Sequence, residues 1–122
     1  MLSHSNILQL KDIVETSGNL YIVTELLEGG TLQEFLAKKG PLPENEAMSL
    51  FKGILAGCSA IIDGGVIHRD LKPSNIMLTG NIPKIIDFGF CEVILGGGIV
   101  RSFNVGSPAY MAPEALLRTL YS

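Results

Sequence analysis

The run His68-Arg69-Asp70-Leu71-Lys72-Pro73-Ser74-Asn75 constrains this chain more than any other feature, because it leads directly into a tight reversal of the chain. Ile76–Thr79 and Ile82–Ile86 are short apolar stretches on either side of Gly80-Asn81, a turn pair that predicts a β-hairpin. A hairpin returns the chain to where it started. Asn75 and Asp87 therefore lie at the two ends of one hairpin, beside a loop that already holds Asp70 and Lys72.

Size and charge narrow the remaining choices. The chain has 122 residues and a formal net charge of -3, enough for one domain with one core and too acidic for a broad basic field toward nucleic acid or an anionic membrane. No stretch approaches the roughly 20 apolar residues that cross a bilayer, and the N-terminus has no basic region followed by an apolar one. Cys58 and Cys91 are too few for a disulfide framework and wrongly spaced for zinc, which points to inert thiols in a reducing compartment, the cytoplasm or nucleus. Hydrophobic residues make up 47% and mean hydropathy is +0.36, values that suit a slice through a larger domain and imply exposed apolar faces.

Local patterns give the elements in order. Residues 7–14 and 20–26 are apolar, β-branched runs separated by Thr16-Ser17-Gly18-Asn19, which predicts an antiparallel hairpin. Thr31 and Glu34 form a capping-box pattern ahead of a short helix that Gly40 stops. A longer helix begins near Pro43, with Glu44 and Glu46 in its first turn, and ends at Asp63-Gly64-Gly65. Its stripe of Ala47, Leu50, Phe51, Ile54, Leu55, Cys58, Ile61 and Ile62 reads as core packing. Beyond Phe88 little periodicity survives, and Glu114 opens a further helix.

Taken together, the loop at 68–75, Asp87-Phe88-Gly89 and Ala112-Pro113-Glu114 resemble, in order and spacing, the catalytic loop, metal-binding motif and segment end of a protein kinase domain. The resemblance implies an α+β, protein-kinase-like fold. Residues 1–24 would be the last strands of an N-lobe, 25–30 the hinge, and 31–122 the first part of a helical C-lobe, with an activation segment at 87–114 and a mobile loop at Gly96-Gly97-Gly98. The Gly-rich loop, strand lysine and helical glutamate that such a domain uses are absent from the 122 residues, so the resemblance covers the middle of one.

Phosphoryl transfer needs charge neutralisation and alignment more than covalent chemistry. By resemblance, Asp70 would orient the substrate hydroxyl, Lys72 would contact the transferring phosphate, and Asn75 and Asp87 would hold Mg²⁺ against ATP. Thr24 would be the gatekeeper, with Glu25 and Leu27 reading the adenine edge through their backbone and with Met77 and Leu32 as the adenine floor. His68 would pack beneath Phe88, in a column with Leu10, since Asp70 already fills the base position.

Regulation and specificity follow from the same resemblance. Arg69 would receive a phosphate on the activation segment, for which Ser102 is the candidate because Phe103 stands at the usual acceptor position. Ser107 would contact Asp70 and Lys72. Lys72 and the run Gly106–Glu114 look like the serine/threonine branch. Phe90 goes with a protein substrate in which serine is preferred over threonine, and Thr31 and Ser74 argue against a demand for upstream arginine. Asp87–Phe90 and Gly106–Met111 most resemble the autophagy-initiating kinases. The expected reading is a partial kinase domain, inactive as these 122 residues alone; the alternative is a truncated, non-catalytic, kinase-like interaction protein.

Overall fold

The computed structural model describes residues 3–94 and 105–117. Strands β1 (Leu10–Glu15) and β2 (Leu20–Thr24) form the first antiparallel hairpin, with Ile13 opposite Ile22 and Glu15 opposite Leu20. Its turn closes where the Thr16 amide donates to the Asn19 carbonyl at 2.9 Å. β1 starts later than the apolar run at 7–14 predicts, because Ile7 is taken elsewhere. Ile7 is 2% exposed and bridges Ile85, while the Leu8 amide donates to the Ile85 carbonyl. Likewise β2 ends at Thr24 rather than Leu26, and Leu26 stands exposed.

Helix α1 (Leu32–Lys39) begins at the capping box: the Glu34 amide donates to Thr31 Oγ1, and Glu34 Oε2 accepts the Thr31 amide, both at 3.1 Å. Gly40, at φ 78°, ends it in a left-handed conformation that costs glycine little. Helix α2 (Glu44–Asp63) follows Pro43. Its stripe is only partly core: Leu50 and Ile61 are buried, whereas Phe51, Leu55 and Ile62 remain more than half exposed. The stripe is wider than the surface packed against it.

Among the described residues two clusters make the core. Leu32, Leu50, Ile76 and Leu78 form one, joined by Phe35, Leu36, Leu42 and Ile54; Ile7, Ile61 and Ile85 form the other, joined by Cys58, Val66 and Phe88. Fully burying a side chain such as Ile61 or Ile85 contributes roughly 1.5–3 kcal/mol. The hairpin β4 (Ile76–Thr79) and β5 (Ile82–Ile85) feeds both clusters, paired as predicted with Ile76 opposite Ile85 and Gly80 in the turn. α2 approaches it closely through Gly53 and Gly57; a Cβ at Gly57 would lie 2.8 Å from the Asn6 carbonyl oxygen and 2.9 Å from Ile85 Cδ1.

The segment after Phe88 is more regular than its composition suggests. Strand β3 (Val66–Ile67), just ahead of the loop at 68–75, pairs antiparallel with β6 (Glu92–Val93), setting Ile67 opposite Glu92. A 3-10 turn at Pro108–Tyr110 precedes α3 (Pro113–Leu116). The glycines at 96–98 lie outside the described residues. Among the described residues no helix is long and apolar enough to cross a membrane.

Candidate active site

The loop at 68–75 is held from below by His68. Its Nδ1 accepts the Asp70 amide at 3.2 Å and its Nε2 lies 2.9 Å from the Ile86 carbonyl oxygen, so the ring is a neutral Nε2–H tautomer with both nitrogens occupied. Phe88 meets it edge-on at 5.2 Å between centroids. Leu10 and Phe88 line one shared cavity. His68 is therefore fully engaged as a support and has no nitrogen left for a substrate.

Arg69 and Asp87 are the described non-glycine residues with positive φ, at 67° and 58°. Such backbone costs on the order of 1–3 kcal/mol and persists where neighbours over-determine it. Both lie next to the polar cluster, Arg69 directly before Asp70 and Asp87 at the outlet of β5. The Ile86 amide donates to the Asn75 carbonyl at 3.0 Å, which ties the two ends of the hairpin.

Asp70 is 6% exposed and has three polar neighbours. Asn75 Nδ2 donates to its backbone oxygen at 2.9 Å and to its Oδ2 at 3.0 Å; Ser107 donates to its Oδ1 at 3.0 Å. Lys72 Nζ lies 3.5 Å from Oδ2 and also donates to Ser107 Oγ. Burial pushes this carboxyl up, but the Ser107 hydrogen bond, the Lys72 charge and the Asn75 amide together hold it below its ordinary value. Asp70 is thus a desolvated yet ionised carboxylate facing a cleft of about 240 Å³ between the loop and residues 105–115.

The donor set suits Mg²⁺, which binds one or two protein oxygens and keeps waters or phosphate for its other positions. Asn75 directs both hydrogen bonds through Nδ2, so its Oδ1 is without a hydrogen bond among the described residues. Asp87 is exposed, and among the described residues only its Oδ1 is engaged, accepting the Gly89 amide at 3.2 Å. No cluster of three or more His, Cys, Asp or Glu that could hold a metal ion exists among the described residues.

On the far side, the chain between β2 and α1 is fastened to the β4–β5 hairpin. Glu25 Oε1 accepts Lys84 Nζ at 2.7 Å and the Gln9 amide at 2.9 Å. Its own amide donates to the Gln9 carbonyl, and Thr24 Oγ1 donates to the Glu25 carbonyl. The Leu78 amide donates to the Gly30 carbonyl at 2.9 Å, and Met77 bridges Thr31. Leu27 and Met77 are half-buried along this seam. Leu32 is buried in the α1–α2–β4 core and lines a cavity with Leu36 and Leu50.

Arg69 Nε donates to the Phe90 carbonyl at 2.6 Å and its Nη1 lies 2.6 Å from Glu92 Oε2, so an acidic side chain already lies against the guanidinium expected to receive a phosphate. Ser102 lies outside the described residues. Sequence reasoning missed Glu92 and Lys84. The position of Lys84 between Pro83 and Ile85 of a hairpin strand could have signalled it, since alternation turns it away from the core; a two-residue strand left no such signal for Glu92.

Burial raises both thiols, Cys91 to about 11, in keeping with inert cysteines. The family model for the protein kinase domain matches residues 1–122. The chain is 44% identical over 116 residues to the probable serine/threonine-protein kinase KCC4 of Saccharomyces cerevisiae, covering 93% of this chain and 11% of that protein. It is 44% identical to the serine/threonine-protein kinase GIN4 of the same yeast, over 93% of this chain and 10% of that protein. It is 43% identical to the hormonally up-regulated neu tumor-associated kinase of Homo sapiens, over 99% of this chain and 17% of that protein. The chain thus spans a tenth to a sixth of the length of these curated relatives. None of the three is named as an autophagy-initiating kinase, so that narrower expectation gains no support from them.

Proposed function

Because this chain belongs to the protein kinase family, over all of residues 1–122, we propose that its protein transfers the γ-phosphoryl group of ATP to a serine or threonine hydroxyl of a protein substrate. Protein kinases generally use ATP and Mg²⁺. The observation that carries the reading is the Asp70–Ser107–Lys72–Asn75 cluster, an ionised carboxylate held by three donors beside a cleft.

In this reading Asp70 accepts the hydrogen bond of the substrate hydroxyl and orients its oxygen toward the phosphorus. Lys72 stabilises charge on the transferring group, and Ser107 keeps Lys72 and Asp70 in register. Asn75 Oδ1 and Asp87 would hold Mg²⁺, which when bound neutralises the phosphate oxygens. Glu25 and Leu27 would read the adenine edge through their backbone, above Met77. Residues 1–24 would then end an N-lobe, 25–30 serve as hinge and 31–122 open the C-lobe. Phe90 supports serine over threonine as acceptor, and the unpaired Cys58 and Cys91 support a reducing, cytoplasmic or nuclear setting.

The test is kinase assay of the natively expressed protein, with Asp70→Asn and Asp87→Ala variants beside it. The expected result is phosphoserine product with the wild type and a loss of at least about a thousandfold in kcat with either variant. Absence of product from wild type and Asp70→Asn alike overturns the reading and leaves a non-catalytic, kinase-like binding protein, for which the exposed apolar face of α2 at Phe51, Leu55 and Ile62 is the supporting observation.

A further inference from the structure

The side chain of Arg69 is 9% exposed, so its charge is largely removed from water and requires a partner of opposite sign. Glu92 provides one at 2.6 Å. The Glu92 oxygen that faces Arg69 is itself buried and makes no hydrogen bond, so the attraction between them is one of charge, without the aligned fork of a bidentate pair. The segment carrying Glu92 is strapped to the segment carrying Arg69: Ile67 pairs with Glu92, the Ile94 amide donates to the Gly65 carbonyl at 2.7 Å, and Phe90 accepts from Arg69 Nε.

Arg69 joins this strap to the site. It adopts φ 67° between His68, whose two nitrogens are occupied, and Asp70, whose carboxylate faces the cleft. A left-handed arginine is held there by its surroundings, and its guanidinium is the longest lever on that peptide.

We propose that Glu92 is a positioning residue for Asp70, acting through Arg69, and that its carboxylate supplies the negative charge on Arg69 that would otherwise come from a phosphate on the 87–114 segment. This rests on the kinase reading of the site. The strap then forms without modification, and the protein is active when unphosphorylated.

The diagnostic variant is Glu92→Gln, which keeps the shape and removes the charge. In the natively expressed full chain, assayed well below its melting temperature, kcat falls about tenfold while KM for ATP stays within about twofold, because the lever acts on the hydroxyl-orienting loop and not on the hinge. Phosphatase-treated wild type keeps its activity. Amide hydrogen exchange at Ile67 and Ile94 accelerates at least about tenfold in the variant. A kcat within twofold of wild type, unchanged exchange at those amides, or wild-type activity abolished by dephosphorylation each overturns the proposal. Asp70→Asn, run in parallel, reports separately on the kinase reading. If wild type and Asp70→Asn are equally inactive, that reading fails and the exchange measurement decides the strap by itself.

Discussion

Ser107 donates its hydroxyl to Asp70 Oδ1 at 3.0 Å, joining residues 37 positions apart, and accepts Lys72 Nζ on the same oxygen. One small side chain thereby sets the spacing of the two charges in the site. A hydrogen bond to a charged group contributes about 1.5–3 kcal/mol. Ser107→Ala should therefore lower kcat about ten- to a hundredfold, with Ser107→Thr largely restoring it. Steady-state kinetics on a serine peptide checks this; an alanine variant with wild-type kcat would show that Asp70 and Lys72 hold their positions unaided.

Glu25 and Lys84 make the corresponding contact on the side proposed to take the nucleotide, at 2.7 Å, with side chains only 22% and 14% exposed. Lys84→Met should loosen the strand-to-α1 connection from the β4–β5 hairpin. A partly buried pair of this kind contributes about 1 kcal/mol. KM for ATP should rise about fivefold with kcat within about twofold, the reverse of the pattern expected for Glu92→Gln. A fall in kcat at unchanged KM would place the effect of Lys84 at the hydroxyl-orienting loop instead.

The same contact makes stability depend on acid. The hydrogen bond from Lys84, then that from the Gln9 amide, holds the Glu25 carboxyl below its ordinary value. A group whose folded pKa is depressed contributes its full stabilisation above its unfolded value, near about 4.3 for glutamate, and loses it as pH falls through the folded value. Wild type should exceed Glu25→Gln in urea midpoint at pH 7, and the gap should close below about pH 4. A gap that stays constant between pH 7 and pH 3 would mean that the stabilisation does not depend on the carboxylate charge.

Gly57 sets two effects against each other. Alanine in the middle of α2 gains about 1 kcal/mol in helix propensity. Its Cβ, however, would sit 2.8 Å from the Asn6 carbonyl oxygen and 2.9 Å from Ile85 Cδ1, where Ile85 is completely buried. Overpacking of this kind costs typically 1–3 kcal/mol, and one of the opposing atoms is backbone that cannot rotate away. Gly57→Ala should lower the melting temperature by several degrees; a rise would mean that the segment at Asn6 yields freely.

Most secondary structure was legible in the sequence, because it depends on nearest neighbours. The Thr31–Glu34 capping box, the Gly40 stop and the Gly80-Asn81 turn each satisfy backbone groups within a few residues, and each appears where its residue types predict. The gathering of Asp70, Lys72, Asn75 and Ser107 in one place was legible as well, through spacing and resemblance. What spacing could not reveal was which polar groups neutralise one another.

Tertiary structure decided those pairings and the division of the apolar residues. Ile7 belongs to an apolar run suited to a strand, yet the core beneath Ile85 removes it from β1, while Leu32 packs into the α1–α2 core. Arg69 meets Glu92 because two strands of two residues each bring them together, and Glu25 meets Lys84 across 59 residues. Local sequence determines conformations whose energies close within a turn or a cap. Buried charges must find a partner wherever the folded chain offers one, and that choice belongs to the packed structure alone.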